Sequence, residues 1–336
     1  MVRTITGRPG GTRTPGRPAQ TSRGAAIRLR AAAFIRRHHL APYVLLVPSV
    51  IAVGIMVVYP AVQIAVHSFQ NYGLPQVTGQ QPITWVGFSN YSQILHDPEF
   101  WSSLRISLIF AAVVVPLTLI TGTLVGLLLN RLGRKMAVFV SGAAMLAWAT
   151  PAVTASVIFY WLVNPDGGVA DWALAKLPHW LGGGAHWVGF NWTNSALPAY
   201  TLLTALLIWQ SFPFIAVSVL AGMKTIPGEL FESARVDGAN PWRIYWRVTF
   251  PLLKPIYLVL LLLSIIWDFG VFTQVYIVIG PGNLDEYNLG MYEYERAFTM
   301  PPSYSIASAL AFVLTLILLI ITVGYVRSSV RQGAIK

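Results

Sequence analysis

Polar side chains are scarce in this chain, and where they fall decides what chemistry it can do. Of 336 residues, 55% are apolar and only 10% charged. Asp268 is the one carboxylate inside a long apolar run, in a stretch that also holds Trp267, Phe272, Gln274 and Tyr276. Burying such a carboxylate in a membrane costs about 2.5–3.5 kcal/mol, so it should face a polar cavity or a partner. Asp268, Phe272 and Tyr276 recur roughly every fourth residue, a spacing that would share one helical stripe. Trp209 and Gln210 put a ring beside an amide in an earlier apolar run. Rings with amides and one carboxyl make binding chemistry, and an aromatic stripe serves plain helix packing equally well. Covalent and metal chemistry find little support. HExxH, GxSxG and the GxxxxGK[ST] phosphate loop are all absent, so a nucleotide-driven machine would carry its nucleotide site on another chain. The histidines (His38, His39, His67, His96, His179 and His186) lack metal-ligand spacing and read as surface or interfacial residues. There is no cysteine, hence no disulfide or thiolate site.

Charge concentrates in ELFESARVDGANPWRIYWRVTFP, residues 229–251, where Glu229, Glu232, Arg235, Asp237, Arg243 and Arg247 crowd between apolar runs. Pro227 before Gly228 and Glu229 suits a first helical turn, with Glu229 and Glu232 at the positive end of its dipole. Leu230, Phe231 and Ala234 give an apolar side, and Gly238 can close the helix in the left-handed conformation. Asn240 and Pro241 then read as the cap and first residue of a second helix. On it Trp242, Tyr245 and Trp246 share one face and Arg243 and Arg247 another, as suits a helix at a membrane interface. Pro251 and Pro255 are expected to end it. The outcome is an elbow, helix–glycine turn–helix, with a carboxylate pair and small residues Ser233, Ala234 and Ala239 suited to a groove on a partner.

The elements around these residues are six apolar stretches, at about 42–67, 105–129, 136–163, 196–222, 255–279 and 304–326, each long enough to span a bilayer. Mean hydropathy is positive, and no polar shell large enough to bury six such helices exists. The net charge of +11 is a topology signal. With both ends cytoplasmic, 20 of the 23 basic residues fall on the inside, leaving Arg105, Lys176 and Arg296 outside or at the outer boundary. Nucleic acid is not needed to explain it. Residues 1–41 read as a disordered basic tail whose Arg28, Arg30, Arg36 and Arg37 would meet anionic lipid headgroups. Residues 42–326 form the six-helix membrane domain, and 327–336 a second tail. The first span is too long for a secretory signal and reads as a retained anchor. Gly122 and Gly126 in the second span could bring two helices together.

The elbow also carries a resemblance. Glu232-Ser233-Ala234, then Gly238, then Val248, Phe250 and Pro251 are similar to the EAA loop of ABC importer permeases, with Ser, Val and Phe in place of Ala, Ile and Leu. Trp85 to Tyr91, Asp97 to Trp101, Leu220 to Met223, and Tyr294 with Ala297 and Phe298 extend the likeness over about 40–326, most closely to the MalF-type carbohydrate permeases. Where that family often has Thr-Gly-Gly-Gly-Pro after the fifth span, this chain has Ile279-Gly280-Pro281-Gly282, so no role is carried over to that turn.

The resemblance implies an all-α integral membrane protein of the bacterial cytoplasmic membrane, with its EAA loop, 223–254, between the fourth and fifth helices on the cytoplasmic side. It also implies an importer core of four subunits: this chain, a MalG-like permease, and two nucleotide-binding subunits that carry ATP and Mg. An extracytoplasmic binding protein would deliver a di- or oligosaccharide. No metal or cofactor is expected on this chain, which would be a transport subunit and not an enzyme. The elbow would be the coupling helix, with Glu232 as polar contact to the nucleotide-binding subunit, Ser233 and Ala234 allowing close approach, Asp237 capping or pairing locally, and Gly238 making the turn. Trp209, Gln210, Trp267, Asp268, Phe272, Gln274 and Tyr276 would be the substrate-path candidates, since sugars are held by ring faces and polar groups. The alternatives are an importer of glycerol 3-phosphate or a related phosphodiester, and an ion-coupled secondary transporter resting on Asp268 alone.

Overall fold

The computed structural model describes residues 41–282, 286–299 and 301–331. The basic tail, apart from Ala41, lies outside the described residues, as do residues 332–336. The chain divides between Val62 and Gln63 into two units. The first holds α1 (Ala41–Val53), a π-helical turn (Gly54–Val58) and the start of α2 (Tyr59–His67). Its apolar side chains, among them Leu45, Val50 and Met56, are exposed, as suits a span that meets lipid.

The second unit begins with a two-stranded antiparallel ribbon, β1 (Gln70–Asn71) and β2 (Thr84–Trp85), with α3 (Leu74–Val77) between the strands. α4 (Ser89–His96) follows, and then α5 (Pro98–Arg131). Asp97 caps α5, its Oδ1 accepting from the Glu99 N–H at 3.0 Å, with Pro98 at the first position, where a missing N–H costs nothing. The cap explains why the helix starts seven residues before the apolar run expected at 105. Then come α6 (Arg134–Ala149), α7 (Ala152–Leu162), α8 (Val169–Lys176), α9 (Ala196–Lys224), α10 (Gly228–Val236), α11 (Pro241–Ile244), α12 (Phe250–Phe269), α13 (Thr273–Val278), α14 (Leu289–Phe298) and α15 (Tyr304–Arg331).

Among the described residues, five helical segments are long and apolar enough to cross a bilayer: Leu45–His67, Pro98–Arg131, Ala196–Lys224, Pro241–Phe269 and Tyr304–Arg327. The expected third span, 136–163, is not one straight helix. It is α6 and α7, bent by 94° where Thr150 meets Pro151, and it makes a sixth span only when the pair is counted as one. The fifth also departs from expectation. Pro251 and Pro255 do not end the elbow's second helix, because α11 runs through a π turn (Tyr245–Thr249) directly into α12. In that turn the Phe250 N–H reaches back five residues to the Tyr245 carbonyl, so Pro251 falls in an effective first turn where no N–H is required. The first unit repeats the device, Tyr59 N–H to Gly54 carbonyl just before Pro60. At its other end the expected span 255–279 stops at Phe269, and α13 is a separate helix beyond Gly270.

α5 and α9 form the central packed pair. An added Cβ on Gly122 would lie 2.4 Å from the Ile215 Cβ, and one on Gly126 would lie 2.9 Å from the Ala216 carbonyl oxygen. Both glycines are therefore what lets the two backbones approach. Ile215, Val219, Met223, Leu253 and Leu260 build one core on this contact, joining α9 to α12. A second core collects Phe110, Val114, Leu203, Leu206, Val275, Tyr287, Met291 and Leu310 from α5, α9, α13, α15 and the segment around α14. Gly122→Ala should lower thermal stability in detergent by about 1–3 kcal/mol through overpacking, with Ile215→Ala in the same chain recovering part of the loss. A melting temperature unchanged by Gly122→Ala would mean the two helices do not meet there.

Candidate functional site

The elbow is built as its sequence dictates. α10 starts after Pro227 and ends in a paired glycine turn: Gly238 takes φ +72°, its N–H donates to the Arg235 carbonyl, and the Ala239 N–H reaches the Ala234 carbonyl at 2.9 Å. Asn240 then caps α11, its Oδ1 accepting from the Arg243 N–H at 2.8 Å. Leu230, Ser233, Ala234 and Asp237, spaced along one side of α10, line a cleft of about 370 Å³ against Arg247, Val248, Pro251 and Leu252. Ser233 Oγ donates back to the Leu230 carbonyl. Glu229 and Glu232 lie off that side and are exposed. Asp237 and Arg247 share the cleft without an ion pair between them. On α11 and the π turn, Trp242 and Trp246 stack edge to face, and Tyr245, Trp246 and Phe250 continue the ring cluster along the foot of α12.

The substrate-path candidates fall into two groups. Gln210 donates to the Thr150 carbonyl at 2.8 Å and accepts from Gln274 Nε2 at 3.3 Å. One amide thus serves the broken third span and ties α9 to α13. Rings flank this chain of amides: Trp209 leans on Phe159, and Trp148 and Trp267 pack on either side of Phe214. Phe272 and Tyr276 belong to another cluster, with Tyr294 at 4.7 and 5.2 Å and Phe298 beyond it. The expected single stripe of Asp268, Phe272 and Tyr276 does not form, because the helix breaks between Phe269 and Thr273. Asp268 stays on α12, buried, with Oδ2 lacking a hydrogen-bond partner among the described residues.

The residues that hold this break were not singled out from the sequence. Asn288, fully buried, donates to the Val271 carbonyl at 2.6 Å while its Oδ1 caps α14 at the Met291 N–H. The only signal for it is an Asn placed where a helix begins. On α14, Arg296 bonds Asp97 at 2.7 Å and Glu99 at 2.9 Å, and the Tyr292 hydroxyl donates to Asp97 as well. Burial works against the Arg296 charge, but the Tyr292 hydroxyl and the two carboxylates outweigh it and raise the pKa. Burial, with the Asp97 hydrogen bond adding to it, holds the Tyr292 phenol neutral far above its ordinary range. Glu293 is pushed up to about 7 by burial.

A chain of apolar helices with breaks closed by side-chain amides, and an exposed helix–turn–helix beside one of them, fits the class of multi-pass membrane proteins. Comparison with known proteins narrows that class. Residues 119–332 match the family described as binding-protein-dependent transport system inner membrane component. The chain is 39% identical to the diacetylchitobiose uptake system permease protein DasB of Streptomyces coelicolor, over 90% of either chain. It is 31% identical to the sulfoquinovosyl glycerol transport system permease protein SmoG of Agrobacterium fabrum, over 84% of this chain and 88% of that one. Its fold matches the crystal structure of a bacterial ABC transporter involved in import of the acidic polysaccharide alginate, with a TM-score of 0.72 at 21% identity, covering 90% of this chain and 99% of the other. The chain belongs to the family of binding-protein-dependent transport system inner membrane components, the permeases of ABC importers.

The half-buried Glu293 makes a pH dependence testable. Its folded carboxyl titrates at about 7 against an ordinary 4.5, so its neutral form contributes stability fully below 4.5, and that contribution is lost as pH rises through 7. Glu293→Gln keeps the shape and removes the ionisation. The melting temperature of the variant minus that of the wild type should rise between pH 4.5 and 8, and a constant difference across that range would contradict the assignment.

Proposed function

We propose that this chain is a transmembrane permease subunit of an ATP-driven importer for a di- or oligosaccharide delivered by an extracytoplasmic binding protein. ATP and Mg are held by two partner nucleotide-binding subunits, and a MalG-like permease completes the core. Both ends of the chain face the cytoplasm, as the basic residues suggest, which puts the elbow on the cytoplasmic side within reach of the nucleotide-binding subunits.

The observation that carries this reading is the form of the elbow. A nine-residue helix with Glu229 and Glu232 exposed is closed by a left-handed Gly238, and the 29-residue helical segment Pro241–Phe269 starts two residues beyond that turn. A passive loop would not need this. In the proposed role Glu232 meets a polar group on the nucleotide-binding subunit, Ser233 and Ala234 let the helix sit close to the foot of its own span, Asp237 ends α10, and Gly238 fixes the turn. Closure of the ATP sites pushes the elbow, and the spans exchange inward- and outward-facing arrangements.

A neutral sugar is supported by the relative whose name gives diacetylchitobiose uptake and by the side chains of the path candidates. Gln210, Gln274, Trp209 and Trp267 offer amides and partly exposed rings, with Phe272 and Tyr276 near Tyr294 as a second aromatic station. Arg296, one of the cations that a phosphate ester would call on, is held by Asp97 and Glu99. An anionic glycoside is the second reading, favoured by the relative named for sulfoquinovosyl glycerol, and Arg105 and Lys176, neither in an ion pair among the described residues, are outer cations left for it.

The test is ATP hydrolysis by the purified complex with its binding protein, against diacetylchitobiose, maltose, longer oligosaccharides, sulfoquinovosyl glycerol and glycerol 3-phosphate. Stimulation by neutral sugars is expected. Stimulation by the anionic compounds alone would keep the importer and replace the substrate, and failure of any ATPase subunit to co-purify would remove the coupling role. In the same assay Glu232→Lys and Gly238→Val should insert normally yet lose about tenfold or more of the substrate-stimulated rate, from lost charge complementarity and a strained turn respectively. Wild-type coupling in both variants would sink the elbow's assignment.

A further inference from the structure

The loop between α7 and α9 takes no part in the coupling or path readings, yet it holds Trp172, Trp180, Trp187 and Trp192, four of the chain's 12 tryptophans. Two of them are fixed in place. Trp192 Nε1 donates to Asp171 Oδ1 at 2.7 Å. Trp187 stacks on Trp192 with centroids 5.4 Å apart and donates to the Gly182 carbonyl at 2.8 Å. Trp172 differs: it is 64% exposed and its indole makes no hydrogen bond or ring contact among the described residues.

Trp172 lines a cavity of about 650 Å³, together with the turn at 165–168, Ala175, Lys176, Val188 and Gly189. That volume lies within the range of roughly 300–1,000 Å³ common for small-ligand sites. Gly167 and Gly189 take φ +148° and +72°, so the backbone reaches the cavity without side chains in the way. Asp166, Asp171 and Lys176 bring ionisable groups to the same walls. Asp171 is buried at 3% exposure, and its Oδ2 has no hydrogen-bond partner among the described residues. An exposed indole alone would suit the headgroup belt of a membrane. A concave indole wall shared with two carboxylates and an ammonium does not suit acyl chains, which would strip water from all three.

We infer that this cavity is a carbohydrate subsite separate from the path candidates at 209–210 and 267–276. One sugar ring lies on the Trp172 face, its C–H surface against the indole, while hydroxyls bond Asp166 and Lys176. Asp171 is a positioning residue, holding the Trp192 indole and through it the Trp187 stack behind the cavity. The inference rests on the sugar reading above and adds a second place on this chain where a sugar is held.

The test uses the complete importer in nanodiscs without its binding protein, with radiolabelled diacetylchitobiose and maltose as probes in equilibrium dialysis. Trp172→Ala should weaken binding about tenfold, Trp172→Phe should restore most of it, and Asp166→Asn should weaken it less. Trp180→Ala serves as the control, since Trp180 is 82% exposed in the same loop but does not line the cavity, and it should bind as wild type does. Equal binding by wild type and Trp172→Ala overturns the subsite. Equal losses in Trp172→Ala and Trp180→Ala overturn it too, pointing to lipid or protein contact spread over the loop. The two readings fail separately: if sugars stimulate ATP hydrolysis with the binding protein present but Trp172→Ala changes nothing, the subsite alone falls, whereas no stimulation by any sugar removes the reading beneath it.

Discussion

A backbone carbonyl or N–H in a hydrocarbon layer has no water to turn to, and this fold is arranged around that fact. Wherever a helix gives out within the apolar part of the chain, a side-chain amide takes over. At the Thr150–Pro151 bend, Gln210 donates to the freed carbonyl, and beyond Gly270, Asn288 does the same for Val271. Each amide has a second duty on its other atom. Gln210 accepts from Gln274, and Asn288 caps α14. The broken spans are thereby tied to α9, α13 and α14, and the rings that gather there follow from the same ties. The polar groups that make a substrate path plausible are also the groups that allow the helices to break.

The elbow was legible because everything that makes it is local. A left-handed glycine, an Asn cap followed by Pro, and carboxylates in a first turn act over a few residues. The breaks were not legible, because proline does not announce what it will do. Pro116, Pro213 and Pro255 sit inside helices that continue, whereas Pro151 begins a new helix after a 94° bend. What separates them is whether a distant side chain can satisfy the freed carbonyl, and Gln210 lies 60 residues away from Thr150. The expected stripe through Asp268 failed for the same reason: a period of four was counted across a point where the helix stops. The glycine pair in α5, by contrast, was weak as a motif and proved to be where α9 approaches most closely.

Charge is used sparingly, and the ion pairs among the described residues are only part-buried. Arg296, Asp97 and Glu99 fasten α14 to the start of α5, and the Asp97 that caps one helix thereby anchors another. A cation so engaged is structural, its guanidinium taken up by the two carboxylates. Asp268 and Asp171 stand apart, buried carboxylates that each have an oxygen unpartnered among the described residues.

The unbroken run from the elbow to Gly270 has a mechanical consequence. At about 1.5 Å per residue, the 29 residues of Pro241–Phe269 make a rod of about 43 Å. If such a rod pivots near its foot, a tilt of about 5° swings the far end by about 4 Å, enough to open or close a passage the width of a sugar ring. The π turn before Pro251 keeps the rod whole where two prolines would otherwise have hinged it. Under the coupling role proposed above, the break after Phe269 would be where its stroke is delivered, the free joint at the end of a stiff arm.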